Sequence, residues 1–284
     1  MTTPPTAAST TSTILGSTVP APRARRFSES RLVADTAAMT WRSAKSMARN
    51  PAEFFDVLIQ PILFTVMFGE LFGGAVAGNV KAYLPILVPG LVMTNVLSAS
   101  QSVGVDLRTD MDKGVFDRFR ALPMSRLAPL LGPLMTDLLR YIVCSALTVA
   151  TGVAIGYRPG NGLLGAIGAV LVAAACGWAF SWVFLLLGVI LPSPQAVTSF
   201  NLIVLFPLCY ISNTMVPVRT MPHWLRSIAE HNPVSYATDG LRYLFDGASG
   251  TGSAADAGWA LVGCLAIVII VAPIVVARYQ RATS

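Results

Sequence analysis

The stretch LLGAIGAVLVAAACGWAFSWVFLLLGVIL, Leu163 to Leu191, decides the fold. Its 29 residues include no charged side chain. About 20 apolar residues in a helix cross the hydrocarbon core of a bilayer. A helix on the surface of a soluble domain keeps a polar face, and this run has none. Five more apolar runs lie around it, at about 54–74, 83–104, 134–157, 196–216 and 256–277. The 284-residue chain is 54 % apolar and 12 % charged; soluble domains carry about 25 % charged residues. This composition excludes a fibrous protein and argues against a water-soluble globule. The fold class expected is all-α: a polytopic membrane protein with six transmembrane helices spanning residues 31–284. Residues 1–30 open on Thr, Pro, Ser and Ala without periodicity and read as a disordered cytoplasmic tail. The stretch is too polar for a signal-peptide core.

Basic residues orient the spans. Seven Lys/Arg precede the first run and five follow the second: Arg108, Lys113, Arg118, Arg120 and Arg126. With Arg278 and Arg281, that side holds fourteen against five on the other (Lys81, Arg158, Arg219, Arg226, Arg242). The excess places both termini in the cytoplasm. It also accounts for the net charge of +6 without invoking nucleic acid. Residues 31–49 read as an amphipathic helix. Arg31, Arg42, Lys45 and Arg49 share one arc, and Val33, Ala37, Trp41, Ala44 and Ala48 share another. A basic face beside a Trp-bearing apolar face suits the surface of an anionic leaflet, so membrane lipids are expected partners.

The loop after the second run alternates charge with Val115, Phe116, Phe119 and Leu122, one face of a short helix over 112–122. Asp112, Val115, Phe116, Arg118, Phe119 and Arg120 are the candidate contact with a partner protein beneath the bundle. Asp137 and Arg140 lie three apart on one helix face. Charges at bilayer depth are costly and mark function. Residues 141–157 alone suffice for a span, however, so the pair is either buried or at the cytoplasmic boundary. Between the fifth and sixth runs, Asn232-Pro233 supplies a capping Asn and a Pro at the first helical position. Val234, Ala237, Leu241, Leu244 and Phe245 then form an apolar stripe, with Ser235 and Asp239 on the opposite, solvent face, and Asp246-Gly247 ends the helix. A shorter amphipathic turn carries Trp224. Trp224, Val234, Ala237, Leu241 and Leu244 are the candidate external gate.

Enzyme signatures are missing: there is no phosphate loop, GxGxxG or HExxH. The two histidines, His223 and His231, do not suggest a metal site, and no catalytic residue is assigned. The four cysteines lie far apart in apolar runs and read as free thiols. A proton-coupled carrier would need mid-membrane carboxylates; Asp137 is the one candidate, with Arg140 beside it. A membrane-embedded enzyme would need a nucleophile and base, and none is visible.

Four stretches carry a resemblance: Tyr83-Leu-Pro-Ile-Leu-Val-Pro-Gly90; Gly114-Val-Phe-Asp-Arg-Phe-Arg-Ala-Leu-Pro-Met-Ser-Arg126; Asn213-Thr-Met-Val-Pro217 with Met221-Pro-His-Trp224; and Asn232-Pro-Val-Ser-Tyr236 through Arg242. In these the chain resembles permease subunits of ABC-2-type exporters, in particular the daunorubicin/doxorubicin-resistance permeases of actinobacteria. The resemblance implies six spans, an N-terminal interfacial helix, a coupling helix between spans two and three, and two short external helices before span six. It also implies a nucleotide-binding ABC ATPase subunit as partner, which binds the ATP and Mg, so that no cofactor is held in this chain. A second permease subunit, identical or different, and an amphiphilic substrate moved outward across the plasma membrane follow from it too. Phe64, Met67, Phe68, Met93, Phe200 and Phe206, on spans one, two and five, are the candidate substrate path, since Met and Phe form adaptable apolar surfaces.

Overall fold

The computed structural model describes residues 36–41, 43, 45, 51–114, 128–247, 250 and 252–282. Among these residues the secondary structure is helical, with no strand. In chain order the helices are α1 (Pro51–Ala77), α2 (Val80–Ser100), α3 (Ser102–Asp112), α4 (Ala128–Ile155), α5 (Gly162–Ile190), α6 (Pro194–Tyr210), α7 (His223–Glu230), α8 (Pro233–Asp246) and α9 (Ala254–Ala282). Five segments are long and apolar enough to cross a membrane: Val57–Ala77, Val80–Asp112, Ala128–Ile155, Gly162–Ile190 and Ala254–Arg281.

The fifth expected span is shorter than the apolar run implied. Helix α6 has 17 residues, about 25 Å at 1.5 Å per residue, against a hydrocarbon core of ~30 Å. It ends at Tyr210, where residues 211–216 turn back into the bundle and bury Ser212, Asn213 and Thr214. The hydroxyls of Ser212 and Thr214 donate to the Cys209 carbonyl at 2.6 and 2.7 Å. These bonds satisfy a helix end that would otherwise leave carbonyls unpaired.

Helix α2 is the axis of the bundle. Asn79 caps it by accepting from the Ala82 N–H at 2.8 Å, and Leu84, Val88, Val92, Met93 and Val96 are wholly buried. They pack with Tyr141 of α4, Phe180 and Phe184 of α5, and Leu241 and Phe245 of α8. At Gly90 the backbone of Thr214 lies where any Cβ would stand, so glycine permits the 211–216 turn to cross α2. Gln101 keeps right-handed helical dihedrals (φ −68°, ψ −26°), so α2 runs on into α3 with a single turn residue between them. Residues Val80–Asp112 make 33, about 50 Å, well beyond the bilayer core. A second apolar cluster fills the α3 end, with Val103, Leu107, Leu134, Trp182, Val275 and Tyr279. Gly188 of α5 lets its backbone touch that of Gly104 in α3.

The described part of the 31–49 segment is helical. It docks on α4 through Met39, which is buried against Gly132, and through the Thr136 hydroxyl, which donates to the Thr40 carbonyl at 3.1 Å. Trp41 faces away from the bundle.

Candidate functional site

Three of the four sequence stretches that carried the resemblance meet at the α8 end of the bundle. Asn232 caps α8 as expected: its Oδ1 accepts from the Val234 N–H at 2.9 Å. The same side chain also holds the end of α6, its Nδ2 donating to the carbonyls of Leu208 and Ile211 at 3.0 and 2.7 Å. Tyr83 of α2 donates to the Met215 carbonyl at 2.8 Å. Arg242 lies at the centre. Its Nη1 donates to Asp239 Oδ1 at 2.9 Å, and its Nη2 to the carbonyls of Asn213 at 2.6 Å and Ile86 at 3.2 Å. Asn213 Nδ2 donates to the other Asp239 oxygen at 2.7 Å. One guanidinium therefore joins α8, α2 and the 211–216 turn.

The far end of α8 is held as firmly. Tyr157 donates to both oxygens of Asp246 at 3.0–3.1 Å, and the Gly160 N–H donates to Oδ1 at 3.2 Å. Asn161 Nδ2 donates to the carbonyls of Tyr243 and Leu244 at 3.2 and 3.1 Å. Gly247, with φ +63°, terminates the helix. Burial pushes the carboxyls of Asp239 and Asp246 above the usual carboxylate range, although Arg242 pulls Asp239 back and hydrogen bonds pull Asp246 back. Burial also lowers Arg242, against the pull of Asp239.

The stripe of Val234, Ala237, Leu241 and Phe245 is buried, and Leu244 is half-buried. The opposite face does not meet solvent as expected. Ser235 is only 4 % exposed, and its hydroxyl accepts from the Asn213 N–H at 3.2 Å. Asp239 is partly covered by Arg242 and Asn213. The reason is that α8 is wedged between α2, α5, the 211–216 turn and α9, so both faces have neighbours. Arg242, counted in the sequence among the five basic residues of the non-cytoplasmic side, is buried. Trp224 on α7 is 67 % exposed and stands apart from this assembly.

At the other end, Asp137 and Arg140 pair at 3.1 Å with side chains 13 % and 9 % exposed. The Arg140 guanidinium also donates to the Ala99 carbonyl and the Ser102 hydroxyl, where α2 passes into α3. The pair is thus buried within protein and ties α4 to the α2–α3 junction. Asn201 of α6 joins the same junction, donating to the Gln101 carbonyl at 2.9 Å. Asp112 ends α3 and pairs with Arg108 at 2.6 Å. The chain turns away at Gly114, φ +63°. Val115, Phe116, Arg118, Phe119 and Arg120 lie outside the described residues.

The six path residues occupy three settings. Phe64 and Phe68 meet edge-to-face, centroids 5.6 Å apart, over Tyr83, Leu87 and Leu91. Met93 is sealed in the core at 0 % exposure. Met67, Phe200 and Phe206 are on the outer surface. Among the described residues no single surface joins all six. Sequence reading missed the hydrogen bonds that Arg242, Asn213 and Tyr83 make between elements, although all three fall inside the quoted stretches. It also missed Cys176 and Cys264, whose sulfurs lie 3.3 Å apart between α5 and α9; no spacing signal marks them.

Comparison with known proteins places this arrangement. Residues 34–245 match the family described as "ABC-2 type transporter". The chain is 36 % identical over 249 residues, 88 % of its length and 87 % of the relative's, to the daunorubicin resistance ABC transporter permease protein DrrB1 of Streptomyces coeruleorubidus. It is 24 % identical over 211 residues, 74 % of its length and 76 % of the relative's, to the probable doxorubicin resistance ABC transporter permease protein DrrC of Mycobacterium tuberculosis. It is also 26 % identical over 219 residues, 75 % of each chain, to the putative transport permease ycf38 of Pyropia yezoensis.

Proposed function

The chain belongs to the ABC-2 type transporter family, and from that premise we propose that it is the permease subunit of an ATP-driven exporter in the plasma membrane. The observation that carries this reading is the 36 % identity, over 88 % of the chain, to a permease named for daunorubicin resistance. A separate ABC ATPase subunit binds ATP and Mg and grips the 112–122 segment. A second permease, identical or different, completes the path. The substrate is an amphiphile, drug-like or lipid-like, taken from the cytoplasm or inner leaflet. Both termini lie in the cytoplasm, α6 completes a sixth span, and α7 and α8 lie outside it.

The geometry supplies a mechanical link. Near one end of the α2–α3 rod, Ile86 accepts from Arg242 of α8; the other end stops at Asp112, beside the proposed ATPase contact. A hydrogen-bonded helix transmits displacement along its axis, and packed helices shift by sliding between discrete arrangements. Movement of the 112–122 segment thereby reaches α8, which closes the outer side. The exposed apolar faces of α1 (Leu63, Met67, Leu71) and α6 (Phe200, Ile203, Phe206) are the surfaces the second permease covers. Met67, Phe200 and Phe206 then line the path between subunits.

The test is daunorubicin uptake into inside-out vesicles containing this chain and its ATPase partner. Uptake that requires ATP, and that Phe116→Ala with Phe119→Ala abolishes without preventing insertion, is the expected result. Uptake that ignores ATP and collapses with a protonophore would replace the ABC reading with that of a proton-coupled carrier.

A further inference from the structure

Cys176 of α5 and Cys264 of α9 are 88 positions apart in the chain, and the fold brings their sulfurs to 3.3 Å. Cys144 and Cys209, also free thiols, are buried singly elsewhere in the bundle. The pair borders a cavity of about 390 Å³ between α5, α8 and α9. Phe180, Ala237, Ala260 and Ile267 line that cavity together with the two cysteines, and the exposed His231 and Tyr236 belong to the same wall. A water takes about 30 Å³ in the liquid, so the space admits small polar molecules of that size. Cys176 is 1 % exposed, whereas Cys264 is half-buried. Cys264 is therefore the member that a small reagent reaches first, with Cys176 in contact behind it.

We propose that Cys176 and Cys264 are a modification site: a peroxide converts them to a reversible disulfide, which fastens α5 to α9 and brakes transport. The sulfur of Cys264 attacks one peroxide oxygen. An S–O bond forms, the O–O bond breaks, and the second oxygen leaves as water with the thiol proton, giving a sulfenic acid. The sulfur of Cys176 then attacks that of Cys264. The S–S bond forms, the S–O bond breaks, and the hydroxyl leaves as a second water with the Cys176 proton. The two thiols give up two electrons and the peroxide takes them. Each proton departs with an oxygen, so no charge is left in the apolar wall. From 3.3 Å the sulfurs must close by about 1.3 Å to reach the S–S bond length, which is within the roughly 1–2 Å that packed helices shift. Pro233, Tyr236 and Ala237 of α8 share the cavity, so joining α5 to α9 restricts the arrangements open to α8. The braking effect rests on the transport reading above; the bond itself does not.

Inside-out vesicles containing the full chain and its ATPase partner are treated with hydrogen peroxide. The chain is then unfolded, and its remaining thiols are counted by mass spectrometry after N-ethylmaleimide. The four free cysteines should fall to two, the Cys176 and Cys264 peptides should be recovered joined, and dithiothreitol should restore all four thiols. Cys176→Ser should stop the reaction at the sulfenic acid, trapped on Cys264 by dimedone, and Cys264→Ser should give neither product. Should a serine variant fail to insert, peptide mapping of the unaltered chain decides by itself. A link between two copies of the chain, or thiol loss that spares this pair, overturns the proposal. Oxidised vesicles should also take up daunorubicin several-fold more slowly, a loss that dithiothreitol reverses and that Cys264→Ser escapes. Unchanged uptake by a chain shown to be joined overturns the brake. Absence of the disulfide alongside intact ATP-driven uptake overturns the proposal and leaves the transport reading standing. A disulfide in a chain that shows no ATP-driven uptake even when reduced removes the transport reading instead and leaves the modification site in place.

Discussion

Arg140 and Arg242 are both buried, and each is paired with an aspartate three residues earlier, at 3.1 and 2.9 Å. Such a pair is marginal in net stability, yet stranding one member costs about 3–5 kcal/mol. Asp137→Ala and Arg140→Ala should each lower thermal stability in detergent by an amount of that order, and the double variant should lose clearly less than their sum. Strictly additive losses would show that the two do not interact. Asp246 yields a pH prediction. Burial raises its carboxyl above the usual range, so the folded chain holds this proton where the unfolded chain has lost it. Its contribution is full below the ordinary carboxylate value of about 4 and is lost as pH rises through the raised one. Asp246→Asn carries no such proton. The melting-temperature margin of the wild type over Asp246→Asn should therefore shrink as pH rises from about 4 toward neutrality; a margin that grows contradicts the assignment.

Helix α8 shows how much one element owes to its neighbours. Its start at Asn232-Pro233 and its stop at Gly247 agree with the capping chemistry read from the sequence. Its surroundings do not: the strict stripe predicted two faces, one of them wet, and the structure packs both. Single cysteines probed with an impermeant maleimide should therefore label slowly at Val234, Ser235 and Ala237, and fast at the exposed Tyr236. Fast labelling at Ser235 would restore the solvent-facing reading. Asn232 serves two helices, so its loss should exceed that of an ordinary cap. Asn232→Ala should cost at least the upper part of the usual ~0.5–2 kcal/mol, because two carbonyls of the α6 end also lose their donor. Asn232→Ser, which retains the cap oxygen without the amide, should recover part of that loss in the same melting assay.

For the whole molecule, the test is orientation. Fourteen basic residues against five predict that both termini are inside and α8 is outside. Reporter fusions after residues 79 and 250 should both report an external location. A cytoplasmic signal from either would break the six-span arrangement and with it the outer position of the α8 assembly. The short α6 makes the fusion after residue 250 the more demanding of the two, since that position is outside only if 17 residues and the turn beyond them traverse the bilayer.

By itself the sequence determined the all-α membrane class, helix positions close to those observed and the two caps of α8. All of these depend on composition and on neighbours along the chain: apolar length makes a span, and Asn, Pro and Gly act on the backbone beside them. Tertiary structure decided which faces of those helices are inside. Helix α5 is apolar nearly all round, so no periodicity distinguishes Phe184, buried, from Leu171, exposed. It decided that residues 211–216, apolar enough to read as span, unwind to meet Gly90 and Arg242. It also brought Asn95 to Thr148, Asn213 to Asp239 and Cys176 to Cys264. Those meetings join residues 26 to 88 positions apart, and no local rule of helix geometry reaches across such separations.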